Sequence, residues 1–179
     1  MTREALLDAA ESVLFEHGSQ ALTLAAVADR AGVSKGGLLY HFPTKDALVA
    51  AMVARTIEEF DALIDSYDDG SPGSYTRAHV EVTFEILGGE ARTHRRWSAI
   101  SAAAADPGQA EPMNEAMRRW HGRDPGEDPD PCAAQVVRLA VEGLWEVVSH
   151  VPDLYDEAQL AELRTHLLAM LEQPAPDRA

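Results

Sequence analysis

"TLAAVADRAGVSKGGLLYHFPTKDALVAAMV", residues 23–53, carries two short helical patterns joined by a glycine-containing turn, followed by the start of a much longer helix. Thr23 is a good N-cap, and Leu24, Val27, Ala28 and Ala31 form the apolar stripe of the segment behind it. Gly32 is placed to end that segment, and Ser34 can cap the next. A turn of about three residues between two short helices is the signature of a helix-turn-helix. Pro43 closes the second of the pair and Thr44 caps the helix that follows.

Gly36 and Gly37 stand at the front of that second helix, where each costs roughly 1 kcal/mol relative to alanine. Contact with a partner would offset the cost. A recognition helix enters the major groove with its N-terminal residues facing base edges, and glycine there lets the backbone come close. Lys35 can reach N7 and O6 of guanine. Tyr40 and His41, one turn on, suit phosphate oxygens or a thymine methyl, while Leu38 and Phe42 share the face that holds the helix down. Thr44 and Lys45 open the following helix, whose free N–H groups and dipole attract a phosphate; Thr23 offers a similar arrangement.

Outward from this stretch the helical periodicity continues. Upstream, Leu6, Ala10, Val13 and Leu14 recur at helical spacing until Gly18. Downstream, "KDALVAAMVARTIEEFDALIDSY" has no internal Gly or Pro and would span roughly 34 Å. After the loop "DDGSPGS" come a fifth helix, "YTRAHVEVTFEIL", and a sixth from about Glu90 to Ala104 with Trp97 and Ile100. Beyond Pro107 a seventh contains Met113, Met117 and Trp120, and "GRDPGEDPDP" reads as loop. Two amphipathic patterns close the chain, followed by the tail "QPAPDRA". No alternating strand pattern appears. The expected fold is all-α with about nine helices, with a helix-turn-helix domain at 1–46, a second domain at 47–173 and a disordered tail at 174–179.

Apolar residues make up 46% of the 179, enough for a packed core, and no run reaches the roughly 18 apolar residues of a membrane span. The N-terminus lacks the apolar core of a signal peptide, and Cys132 is the only cysteine, so no disulfide framework exists; a reducing cytoplasm is the expected location. Net charge is −15. Residues 1–55 hold five basic and six acidic side chains, whereas residues 56–179 hold ten and 24. That asymmetry points to two tasks in one chain.

Residues 3–53 resemble the DNA-binding domain of the TetR family of transcriptional repressors, through "LLDAAESVLFEHG" and then "TLAAVADRAGVSKGGLLYHFPTKDALVAAMV", in order and spacing. The resemblance implies an all-α homodimer whose N-terminal module binds a double-stranded operator and whose helical body binds a small-molecule effector that releases it. It implies DNA contacts from Lys35, Gly36, Gly37, Tyr40, His41 and Lys45, and a phosphate-contacting cap at Thr23; the helix caps Ser34 and Thr44 complete the expected DNA-binding set. Leu39 stands where many members have a second tyrosine, which with the absent basic arm predicts a shallow salt dependence.

In the body, large side chains on helices four to eight are the candidates for lining an effector pocket: Phe60, Phe84, Trp97, Met113, Met117, Trp120 and Trp145. They favour a hydrophobic or aromatic effector. Glu81, Glu85, Glu142 and Glu146 are candidate counter-charges for a cationic one, or plain solvated residues. The last two helices can form half of an intermolecular four-helix bundle, through Val137, Ala140, Leu144, Val148, Leu163, Leu167 and Leu171, or complete the chain's own core. Enzymatic signatures are absent: the seven histidines show no paired metal-ligand spacing, Cys132 has no nucleophile motif around it, and there is no glycine-rich phosphate loop. No metal or cofactor is expected. The alternative to a regulator is a helical dimeric interaction module with weak or lost DNA binding.

Overall fold

The computed structural model describes residues 2–89, Trp97, Ile100, 110–123 and 128–172. Secondary structure among them is entirely helical, in eight helices: α1 (Arg3–His17), α2 (Leu24–Ala31), α3 (Lys35–His41), α4 (Lys45–Tyr67), α5 (Ser74–Gly88), α6 (Glu111–His121), α7 (Pro131–His150) and α8 (Glu157–Glu172). The helix expected from about Glu90 to Ala104 lies outside the described residues apart from Trp97 and Ile100, and so does the tail 174–179. The chain divides into two compact units, Met1–Glu58 with Arg95–Ala116, and Glu59–His94 with Met117–Ala179.

In the first unit α1 packs on α2, and α2 on α3. Capping sets the boundaries. Thr2, Thr23 and Ser34 each accept a hydrogen bond from the backbone N–H three residues on, satisfying one of the orphan donors of a helix start. Gly32 ends α2 at φ +68°, a left-handed conformation that glycine adopts without strain, and its N–H meets the carbonyls of Ala28 and Asp29. The buried side chains Leu6, Leu7, Leu22, Val27, Leu38, Phe42, Leu48 and Met52 form the core. Arg55 on α4 reaches three carboxylates of α1: Asp8 at 2.7 Å, Glu11 at 2.6 Å and Glu4 at 3.4 Å. Burial alone would push its guanidinium down, but Glu11 and Asp8 outweigh that and hold it above its ordinary value.

In the second unit α5 packs against α7 and α8. Val80 and Phe84 meet Ala134, Val137, Val141, Leu144, Val148 and Leu171 in one apolar cluster. Asp130 caps α7 through the N–H groups of Cys132 and Ala133, with Pro131 in the first turn, where its missing N–H does no harm. Arg164 of α8 grips Glu81 of α5 in a two-pronged pair, both contacts 2.6 Å.

Of the residues expected at a dimer surface or in the chain's own core, Val137, Leu144, Val148 and Leu171 are buried in that core. Ala140 and Leu163 are exposed and Leu167 is half-buried. The apolar side chains that face outward are Val136, Leu139 and Val147 on α7 and Met170, with Leu163, on α8.

Candidate nucleic-acid interface and effector site

Helix α3 is short, and two apolar residues hold it. Leu38 and Phe42 are buried, leaving Lys35, Gly36, Gly37 and Tyr40 outward, with Tyr40 86% exposed. Ser34 Oγ accepts from Gly37 N–H at 3.1 Å. His41 is half-buried and its ring meets Tyr40 edge-on, centroids 5.2 Å apart. Thr44 Oγ1 accepts from Ala47 N–H at 3.0 Å and Thr23 Oγ1 from Ala26 N–H at 3.1 Å. Each cap uses a lone pair of the hydroxyl and leaves its O–H able to donate to a phosphate.

Among the described residues nothing calls for glycine at positions 36 and 37. A Cβ at Gly36 would lie 4.0 Å from Ser34 Oγ, and one at Gly37 3.4 Å, both ordinary contact distances. Neither residue has positive φ. The cationic side chains of the module divide sharply. Arg30 is paired with Glu16, one of its contacts being 2.9 Å, and Arg55 is held by three carboxylates. Lys45 Nζ donates to the Ser19 carbonyl at 3.3 Å, and Lys35 has no ion pair among the described residues.

A second polar constellation lies in the body. Glu142 of α7 sits between two histidines: His79 Nε2 of α5 is 3.3 Å from Glu142 Oε1, and His121 Nε2, at the end of α6, is 3.5 Å from the same oxygen. Burial pushes the Glu142 carboxyl up, but the hydrogen bond and charge of His79, then those of His121, outweigh it and hold it below its ordinary value. The ring of Phe60 lies 5.3 Å from that of His79 and 4.7 Å from that of Trp120. Trp120 Nε1 donates to Asp61 Oδ1 at 2.7 Å, and Arg119 to Asp61 Oδ2 at 2.6 Å.

Of the expected pocket residues, Phe60 and Trp120 are therefore in ring contact. Phe84 belongs to the apolar cluster of α5, α7 and α8, Trp97 and Met113 fall in the first unit, and Met117 and Trp145 are half-buried in the second. Among the four glutamates, Glu81 pairs with Arg164, Glu85 accepts from the Tyr67 hydroxyl at 2.7 Å, and Glu146 lies 3.6 Å from His150. Glu142 alone of the four sits between histidines. Local spacing does not reveal this, because residues 79, 121 and 142 come from three helices. Among the described residues no group of three or more such side chains is placed to hold a metal ion, and no helix is long and apolar enough to cross a membrane.

Residues 6–52 match the family described as "Bacterial regulatory proteins, tetR family", and residues 73–172 match "Tetracyclin repressor-like, C-terminal domain". The chain is 34% identical over 97 residues to the HTH-type transcriptional regulator TtgR of Pseudomonas putida, a match covering 52% of this chain and 46% of that one. The chain thus spans about half the length of the curated relatives it matches in this way. Among solved structures, a transcriptional regulator from Rhodococcus sp. Rha1 shares the fold, with a TM-score of 0.76 at 24% identity over 99% of this chain and 100% of that one. The multidrug binding protein EbrR complexed with ethidium aligns with a TM-score of 0.69 at 26% identity, over 92% and 96% of the two chains. The family is one of regulators rather than enzymes. With both its N-terminal and C-terminal parts matched, the chain belongs to the TetR family of bacterial transcriptional regulators.

Proposed function

We propose that this protein is a ligand-responsive repressor that binds a palindromic operator as a homodimer through α3 and leaves it when a small molecule binds the body. The observation that carries the reading is the outward face of α3: Lys35, Gly36, Gly37 and Tyr40 are all exposed, and the protein's own packing gives no reason for the glycines. One short helix reads few bases, so a symmetric pair is needed to read a palindrome, with the two helices about 34–36 Å apart to enter successive major grooves. The outward apolar residues of α7 and α8 supply a surface for that pairing.

Release follows from a population shift. Helix α4 contributes Lys45–Glu58 to the first unit and Glu59–Tyr67 to the second, so it is the element through which a change in the body reaches the DNA module. A ligand must favour the released form by several kcal/mol to switch most of the population. That EbrR binds ethidium supports an aromatic effector here.

The direct test is operator protection, with fragments selected by the protein from random duplexes. Replacing Lys35 and Tyr40 together by alanine should abolish protection and leave the thermal midpoint within a degree or two, since both side chains are exposed. Unchanged protection in the double variant would instead favour a helical dimeric module without this mode of DNA binding.

A further inference from the structure

Four features of the body converge on Glu142. It is a carboxylate whose side chain is only 27% exposed, and an ionised group in such a place needs compensation. Its compensation is unusual. Glu81 and Asp61 each pair with an arginine, whereas among the described residues Glu142 pairs with no lysine or arginine, only with His79 and His121. Imidazole carries its charge optionally around neutral pH, so with both rings neutral a net negative charge is left without a fixed counter-ion. Next, His79 is 1% exposed, and its Nδ1 is buried with no hydrogen-bond partner. In the tautomer that donates Nε2–H to Glu142, Nδ1 is an acceptor lacking a donor. Finally, the surroundings are aromatic: Phe60 contacts both His79 and Trp120, and Tyr75 lies 6.2 Å from His79. Aromatic faces attract a flat π-system and a cation alike.

We propose that Glu142, flanked by His79 and His121 and by the rings of Phe60 and Trp120, anchors the effector, and that the effector is an aromatic molecule with a positively charged, N–H-bearing nitrogen. This rests on the ligand-responsive reading above and gives it a site and a ligand class. The cation supplies the counter-charge that no arginine or lysine provides, and an N–H supplies the donor that His79 Nδ1 lacks. The remaining charges around the cluster are already engaged. Asp61 of α4 holds Trp120 and Arg119 of α6, and Arg138 of α7 donates to the Trp120 carbonyl at 3.4 Å and lies 3.7 Å from Asp128. On α5 the Tyr75 hydroxyl donates to the same carbonyl at 3.3 Å, and burial holds that phenol neutral by raising it above its ordinary value. Among the described residues the polar contacts of Glu142 itself are thus His79 and His121.

The test uses purified, DNA-free full-length protein and two probes of one ring system: proflavine, a cationic aromatic diamine, and acridone, which is neutral. Proflavine should bind at least about tenfold more tightly than acridone, the scale of one charge-assisted contact. Glu142→Gln should erase that preference while leaving acridone unchanged. Equal affinity for the two probes, no measurable proflavine binding, or a preference that survives Glu142→Gln would each overturn the proposal. If Glu142→Gln fails to fold, as circular dichroism would report, Glu142→Asp decides: its shorter arm should weaken proflavine and leave acridone unchanged, and an unchanged preference overturns the proposal. Operator protection is measured separately, so a protein that fails there and still shows the Glu142-dependent preference loses the repressor reading and keeps this site.

Discussion

Gly36 is a glycine that its own surroundings do not require. In the isolated protein it weakens its helix, and a methyl group added there meets only open contact distance. Gly36→Ala should therefore raise stability, by up to about 1 kcal/mol in urea unfolding, and lower operator affinity in the same protein. A variant that is both more stable and undiminished in DNA binding would refute close backbone approach at this position. Leu39 is half-buried, unlike Tyr40 beside it, so its side chain is partly committed to packing. Lys35 and Tyr40 are legible in the sequence because a seven-residue helix pinned by Leu38 and Phe42 has few ways to face. Glu142 is legible only as one of four candidate counter-charges. Its neighbours are set by how α5, α6 and α7 meet, and nothing in the local sequence marks His79 and His121 as its partners.

At the scale of elements, the start of α5 shows a helix secured from outside itself. Its N-cap is Gly73, at φ +75° and without a side-chain cap, and a Cβ there would come within 3.1 Å of Arg77 Nη1 and Pro129 Cδ. The securing group is Asp68, which accepts from the Ser74 hydroxyl and from Gly70 N–H at 3.1 Å and pairs with Arg123 at 3.3 Å. The Ser74 hydrogen bond, foremost, holds its carboxyl below the ordinary value, against burial, which would raise it. A depressed carboxyl contributes stability that is fully present above its unfolded value of about 3.9 and is lost as pH falls through the folded one. Asp68→Asn should accordingly be less stable than the wild type near pH 7, with the gap closing below about pH 4 in urea titrations. A gap that stays constant through that range would show that the charge of Asp68 contributes nothing. The neighbouring α4 is simpler: Thr44 caps it and no Gly or Pro interrupts Lys45–Tyr67, so both its ends are legible from local chemistry.

At the scale of the whole molecule, α7 and α8 each have two apolar sides. One side, with Val137, Leu144, Val148 and Leu171, closes the chain's own core against α5; the other, with Val136, Leu139, Val147 and Met170, is outward. Leu139 is 60% exposed, so Leu139→Glu costs little in the monomer and would bury a charge in a dimer. Analytical ultracentrifugation should find a monomer with unchanged helicity, and operator protection should be lost with the dimer. A variant that stays dimeric would move the subunit contact off this face. On the repressor reading, the acidity outside the first 55 residues, 24 acidic against ten basic side chains, would keep the body from competing for DNA and leave contact to the module.

By itself the sequence determined the helical class, the helix-turn-helix with its caps at Thr23, Ser34 and Thr44, the outward residues of α3, and the charge asymmetry between module and body. All of these are properties of neighbouring residues along one chain, where periodicity, capping and backbone freedom act. Only the tertiary structure decided which side of α7 and α8 the core consumes, that Phe84 is core while Phe60 meets Trp120, and that His79, His121 and Glu142 converge. Those outcomes depend on how distant helices pack, and an amphipathic pattern with two apolar sides carries no mark of which side its own chain will cover.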